Sequence, residues 1–314
     1  MKGFYLGLGV LLLVFVISKI NISEVIFQVG QVGFGLVVLI GIYSVAFAID
    51  SIAWQLTITR VPLNFLWAYR IMKLRMVGES FNAVIPAGGM GGEPVKVSML
   101  KSYYDINLRE GTASLVLAKT INVIALVVFL IGGFALMVKG QTLSKDYEFV
   151  AGVGLLAIVI GVFLFFVIQR LSITSLTGEW ISRYLIGRRV KHILHYINDM
   201  DDRLVRFYTE NKGRFALTLL LSLANWMLGV VEIYCTMLFL DRPITWAEAW
   251  IVEAVAQMFR TGAFFIPAAI GVQEGAFLLI FSVITGSAPL GVAVAVIRRI
   301  REVIWIIWGF VIGA

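Results

Sequence analysis

Apolar runs close to the length of a bilayer crossing constrain the fold of this chain more than any other feature. A transmembrane helix needs about 20 mostly apolar residues. Clear runs of this kind occupy 3–18, 34–58, 111–138, 148–169, 214–240 and 289–313. Only 14% of the 314 residues are charged, whereas a soluble domain carries about 25% to keep its surface in water. Acyl chains require no such cover, and backbone groups in lipid must satisfy one another, so runs this long imply helices. The expected fold class is all-α: a polytopic transmembrane helical bundle forming a single membrane domain over residues 1–314.

The formal net charge is +7, but the charges follow topology and form no nucleic-acid surface. Lys and Arg gather in the connections, as the positive-inside rule expects, and no basic-aromatic stripe or zinc-finger spacing is present. Residues 170–214 hold nine Lys or Arg against five acidic residues, which marks this connection as cytoplasmic. Counting spans backwards puts the amino terminus inside and predicts a multi-pass protein of the cytoplasmic (inner) membrane. Met1-Lys2-Gly3 and the apolar run after it resemble a signal peptide. The following Ser18-Lys19-Ile20-Asn21 offers no small-x-small cleavage site, so a retained anchor is expected. The lone Cys235 excludes an intrachain disulfide.

Two apolar regions, 64–100 and 246–286, are interrupted in the same way. The first contains Ile85-Pro86-Ala87-Gly88-Gly89-Met90-Gly91-Gly92-Glu93, and the second Ile266-Pro267-Ala268-Ala269-Ile270-Gly271-Val272-Gln273-Glu274. Each places a Glu seven residues after the Pro. Proline removes a backbone donor and disrupts the preceding turn; glycine permits backbone conformations closed to other residues. Irregular backbone at membrane depth survives only where protein buries it or water fills a cavity. The charge bias puts the two regions in opposite orientations, whether each is a re-entrant hairpin or a pair of spans. The expectation is two broken or re-entrant helix elements in inverted orientation. Repeat-like halves, about 34–169 and 214–313, are then joined by the connection 170–213, whose periodicity reads as an amphipathic helix. Inverted repeats in transporters place substrate at their interface. Capping of the following helix is the simpler role for each Glu.

Charges inside apolar segments point to a polar interior, since they are costly in lipid. They include Asp50, Lys119, Glu232, Glu253, Arg260 and the cluster Arg298-Arg299-Ile300-Arg301-Glu302. Asp50 with Lys119, and Glu253 with Arg260, are the candidate pairs. Forked guanidinium donors suit phosphate, so Arg260, Arg298 and Arg299 are candidate substrate-binding residues, together with Glu93 and Glu274, which would line a cavity between the two breaks.

The Pro-x-x-Gly…Gly-Glu-Pro element at 86–94 and the Pro-Ala-x-x-Gly-x-x-Glu-Gly element at 267–275 resemble the lysylphosphatidylglycerol synthase transmembrane, or flippase-like, family. The resemblance extends over nearly the whole chain through segment number, motif order and the basic central connection. It implies a lipid-translocating membrane domain and marks Pro86, Gly91, Gly92, Glu93, Pro267, Gly271, Glu274 and Gly275 as motif residues. Many relatives carry an Arg before the Gly-Glu pair; here Gly-Gly-Met-Gly-Gly stands there, leaving Lys96 or Arg260 to substitute. The family's larger members add a soluble domain that transfers an amino acid from aminoacyl-tRNA. This chain ends in its last span, so that activity is not expected of it.

The expected function is lipid transport across the membrane, by proton coupling at a carboxylate or by passive scrambling. No cofactor is implied, and no Gly-x-x-x-x-Gly-Lys-Ser/Thr loop is present. An intramembrane enzyme acting on a lipid-linked substrate is the second reading. It has no His-Glu-x-x-His, Gly-x-Ser-x-Gly or paired-Asp signature, and His192 and His195 fall in the connection. A non-catalytic partner of a lipid-synthesis complex is the third. Membrane lipids are the expected partners, with a second copy of the chain or lipid-synthesis enzymes as protein partners.

Overall fold

The computed structural model describes residues 22–84, 90–140, 145–170, 206–263, 266 and 269–313. The anticipated span at 3–18, both prolines Pro86 and Pro267, the histidines, and the connection over 171–205 lie outside the described residues. Within them the chain is helical: α1 (Ile22–Val32), α2 (Gly35–Thr57), α3 (Phe65–Val84), α4 (Glu93–Tyr104), α5 (Leu108–Gly140), α6 (Lys145–Arg170), α7 (Lys212–Phe239), α8 (Trp246–Gly262), α9 (Val272–Ile284) and α10 (Ala288–Gly313).

Three helices, α2, α5 and α7, are long and apolar enough to cross a membrane. Their outward faces leave Val37, Val45, Val128, Ile131, Leu217 and Leu220 exposed, an apolar surface that a soluble protein rarely tolerates but lipid accepts. The anticipated span at 148–169 lies within the 26-residue helix α6. The span at 289–313 is one unbroken helix, α10, but its centre carries Arg298, Arg299, Arg301 and Glu302, with Arg298 and Arg301 buried in protein. The amphipathic helix α1, which packs on α10, has no counterpart in the reading of the sequence, because at 11 residues it is too short to register as a span.

Both interrupted regions are helix–break–helix units, α3–α4 and α8–α9. The incoming helices start with side-chain caps. The Asn64 side chain accepts from the Trp67 amide at 2.9 Å. Thr245 and Glu248 form a reciprocal capping box at the start of α8, satisfying two orphan amides of that terminus. At 13 residues, α9 rises about 20 Å, well short of the ~30 Å hydrocarbon core.

The long helices interlock through small residues. Trp250 and Ala254 of α8 settle against Gly132 and Gly133 of α5, positions where a Cβ would collide with them. The indole of Trp250 donates to the Phe129 carbonyl at 3.1 Å. In the same manner Met76 and Ser80 of α3 settle against Gly309 of α10, with the Ser80 hydroxyl donating to the Ile306 carbonyl at 2.8 Å. Small residues let helices approach closely where hydrophobic sequestration from water supplies no drive. α2 and α7 pack along their length. Arg214 donates to the carbonyls of Leu56 and Ile58 at 3.3 and 3.2 Å, supplementing the few backbone donors left at the carboxyl end of α2.

Candidate functional site

A cavity of about 530 Å³ opens between α2, α3, α7, α8 and α10, bordered by Ala263, Ile266 and Ala269 of the second break. Its wall is polar where a membrane protein can least afford it. The described carboxylates on it are Asp50, Glu79, Glu232, Glu253 and Glu302, and the guanidiniums are Arg75, Arg260, Arg298, Arg299 and Arg301. Tyr43, Phe47, Trp226 and Trp305 supply the aromatic lining. Arg301 stacks over Tyr43 with its guanidinium carbon 3.8 Å from the ring centroid, and Arg75 over Phe47 at 4.8 Å. Cation–π contacts of this kind gain strength in a desolvated setting.

The periodicity of α10 explains the arrangement of its charges. Arg298, Arg301 and Glu302 stand three and four residues apart, so they share one face, and that face is turned inward. Glu253 from α8 receives Arg298 at 2.6 Å, and Glu232 from α7 lies 3.6 Å from the same guanidinium while also pairing with Arg301. Glu302 takes Arg299 at 3.1 Å, Arg301 at 3.9 Å and Arg260 at 3.8 Å. Together with Glu274 this network contains four carboxylates and four guanidiniums, so the cost of burying charge is offset by mutual pairing.

A second network surrounds the first break. Asp50 of α2 pairs with Arg75 of α3. Lys96 of α4 reaches Glu79 at 3.1 Å and Glu93 at 3.2 Å, and Lys119 of α5 reaches Glu93 at 3.0 Å. The two pairings anticipated from the sequence do not form. Arg75, on the helix packed against α2, occupies Asp50, and Lys119 serves Glu93. Glu253 and Arg260 are seven residues apart, two helical turns and about 10 Å of rise. Glu253 turns to Arg298 and to the Gln257 amide at 2.8 Å instead.

The sequence-predicted site residues fall into two layers. Arg260, Arg298 and Arg299 lie on the cavity wall. Glu93, Lys96 and Glu274 stand behind it, each paired to a residue on the wall or next to one. Glu274 accepts from the Gly271 amide at 2.8 Å and from Arg299 at 2.7 Å; it caps α9 and holds a wall arginine at once. Gly271 has φ +80°, open to glycine at little cost. Gly92 has an ordinary φ of −86° but lies so close to the Gly78 carbonyl that a Cβ would not fit. Its amide donates to the Asn82 side chain at 2.6 Å. Gly91 lies in the turn before α4, and Gly275 lies in the first turn of α9.

Arg75 and Tyr43 are wall residues that sequence reasoning passed over. A signal for the wall was available: Glu79 and Arg260 each stand seven residues before their proline. Among the described residues, no group of three or more His, Cys, Asp or Glu is arranged to hold a metal ion.

Comparison with known proteins follows the same outline. Residues 4–309 match the family described as the lysylphosphatidylglycerol synthase TM region. A membrane protein of Methanothermobacter thermautotrophicus described as a UPF0104 membrane protein is 20% identical over 271 residues, covering 81% of this chain and 76% of its own. No solved structure matches the chain.

Proposed function

Because this chain belongs to the lysylphosphatidylglycerol synthase transmembrane family, an integral membrane family, we propose that it moves a lipid headgroup across the cytoplasmic membrane through the charged cavity. The observation that carries this reading is the wall itself: ten charged side chains around about 530 Å³ between the long helices. Ionisable residues within membrane segments usually mark substrate or ion pathways, and guanidiniums are the natural partners of a phosphodiester. A lipid can keep its acyl chains in the bilayer while its headgroup passes through such a space.

In this reading the two helix–break–helix units are related by a pseudo-two-fold axis in the membrane plane, with the amino terminus in the cytoplasm. The reciprocal packing of α5 with α8 and of α3 with α10 supports that relation. Arg260 and Arg299 face the substrate, Arg298 stays paired to Glu253 and sets the charge of the wall, and Glu93, Lys96 and Glu274 set positions and charge balance.

The test is translocation in liposomes containing the purified chain and phospholipids with a fluorescent acyl chain. Addition of an impermeant reducing quencher should bleach inner-leaflet lipid in protein-containing vesicles and spare it in empty ones. Arg299→Gln and Glu274→Gln should slow bleaching while leaving reconstitution yield unchanged. Protein-containing vesicles that bleach no faster than empty ones would end this reading.

A further inference from the structure

The helices that enter the two breaks carry opposite charges at matching positions. Glu79 on α3 and Arg260 on α8 both lie seven residues before the proline of their break, and both line the cavity. They are also the most accessible charges on the wall, followed by Arg299 at 26%. The side chain of Glu79 is 35% exposed and that of Arg260 47%, against 4% for Arg298 and 6% for Arg301. The nearest carboxylate to Arg260, that of Glu302, is 3.8 Å away, too far for a good hydrogen bond.

The rest of the wall repeats this polarity. Residues of α2 and α3 contribute two carboxylates and one guanidinium, a net −1; residues of α7, α8 and α10 contribute three carboxylates and four guanidiniums, a net +1. The compensating charges, Lys96, Glu93 and Lys119 on one side and Glu274 on the other, stand behind the wall. The cavity is therefore neutral as a whole but divided into an acidic and a basic side.

We infer that the ligand of this cavity is a zwitterionic phospholipid headgroup, its phosphate on Arg260 and its ammonium on Glu79. A headgroup carrying only phosphate would satisfy Arg260 and face the Glu79 side with repulsion, whereas a net-cationic headgroup would leave one ammonium unpaired. An ammonium and a phosphate within one headgroup match both sides: the ammonium shares the Glu79 carboxylate with Lys96 at 3.1 Å and Asn82 at 3.2 Å, and the phosphate leaves the Arg298–Glu253 pair intact. This inference rests on the cavity being the lipid site, but it is tested separately by binding.

The purified full chain in detergent is offered equal amounts of phosphatidylethanolamine, phosphatidylglycerol and lysylphosphatidylglycerol, and retained lipid is read by native mass spectrometry. Phosphatidylethanolamine should be favoured about tenfold, the scale of one charge-assisted contact. Glu79→Gln should remove its advantage over phosphatidylglycerol, and Arg260→Gln should weaken both. Glu79→Asp and Arg260→Lys, which keep the charges, should retain the order and separate loss of charge from loss of folding. Equal retention of the three lipids, or preference for the anionic or cationic one, overturns the inference. Selective retention without translocation in liposomes would leave it standing and overturn the transport reading instead.

Discussion

The two breaks share a Pro-to-Glu spacing and yet are built differently. At the second, Glu274 stands three positions into the amino-terminal turn of α9, caps it through the Gly271 amide and takes Arg299 from α10. At the first, Glu93 is the first residue of α4 and turns to Lys96 and Lys119, while the turn amide of Gly92 is held by Asn82 from the preceding helix. The glycines differ as well: Gly271 supplies a positive φ, and Gly92 supplies the absence of a Cβ. A matched motif thus fixes where the chain breaks, while the neighbouring helices determine how each break is held.

The largest expected contrast lies in the ion networks. Glu253→Ala leaves Arg298, whose side chain is 4% exposed, with Glu232 at 3.6 Å as its remaining carboxylate, and should cost about 3 kcal/mol of stability, the lower end for a broken buried pair. Glu79→Ala in the first network, at 35% exposure, should cost no more than about 1 kcal/mol after solvent screening. Unfolding in a denaturing-detergent titration gives both values. Equal losses would mean that the two networks are buried alike.

The glycines come next. Gly92→Ala drives a methyl group into the Gly78 carbonyl, backbone against backbone, and should cost about 3 kcal/mol, the upper end of overpacking effects. Gly271→Ala imposes left-handed strain of about 1–2 kcal/mol. Thermal denaturation of the two variants should keep that order, and a reversal would place the closer approach at the second break.

Removal of the motif carboxylates should separate the breaks by a smaller margin. Glu274→Ala loses a helix cap, worth about 0.5–2 kcal/mol, together with the Arg299 pair. Glu93→Ala leaves Lys96 with Glu79 and Lys119 on the half-exposed side of its pair, so its melting temperature should fall less. The smallest difference should be at the helix starts, where Asn64→Ala and Thr245→Ala each remove a comparable cap and should each cost about 1 kcal/mol. Calorimetry of these two variants provides the reference against which the asymmetry of the breaks is measured.

The membrane-spanning character of α2, α5 and α7 was legible because lipid exposure requires long apolar runs. Both breaks were legible because proline and clustered glycine interrupt a helix locally. The inward face of α10 was half legible: its charges stood out, but Arg298 and Arg299 look alike in sequence, and only packing buries one beside Glu253 and directs the other to Glu274. Arg75 gave no signal, since with Arg70 and Lys73 close by it reads as part of a solvated basic face until α2 brings Asp50 beside it.

The sequence by itself determined that this chain lives in a membrane, where its helices break, and that charge lies within its spans. These properties follow from composition and from local backbone chemistry. The tertiary structure alone decided which charges pair, which line the cavity and which stand behind it. The physical reason is that buried ions take their partners from helices far apart in the chain, and close helix packing fixes those distances.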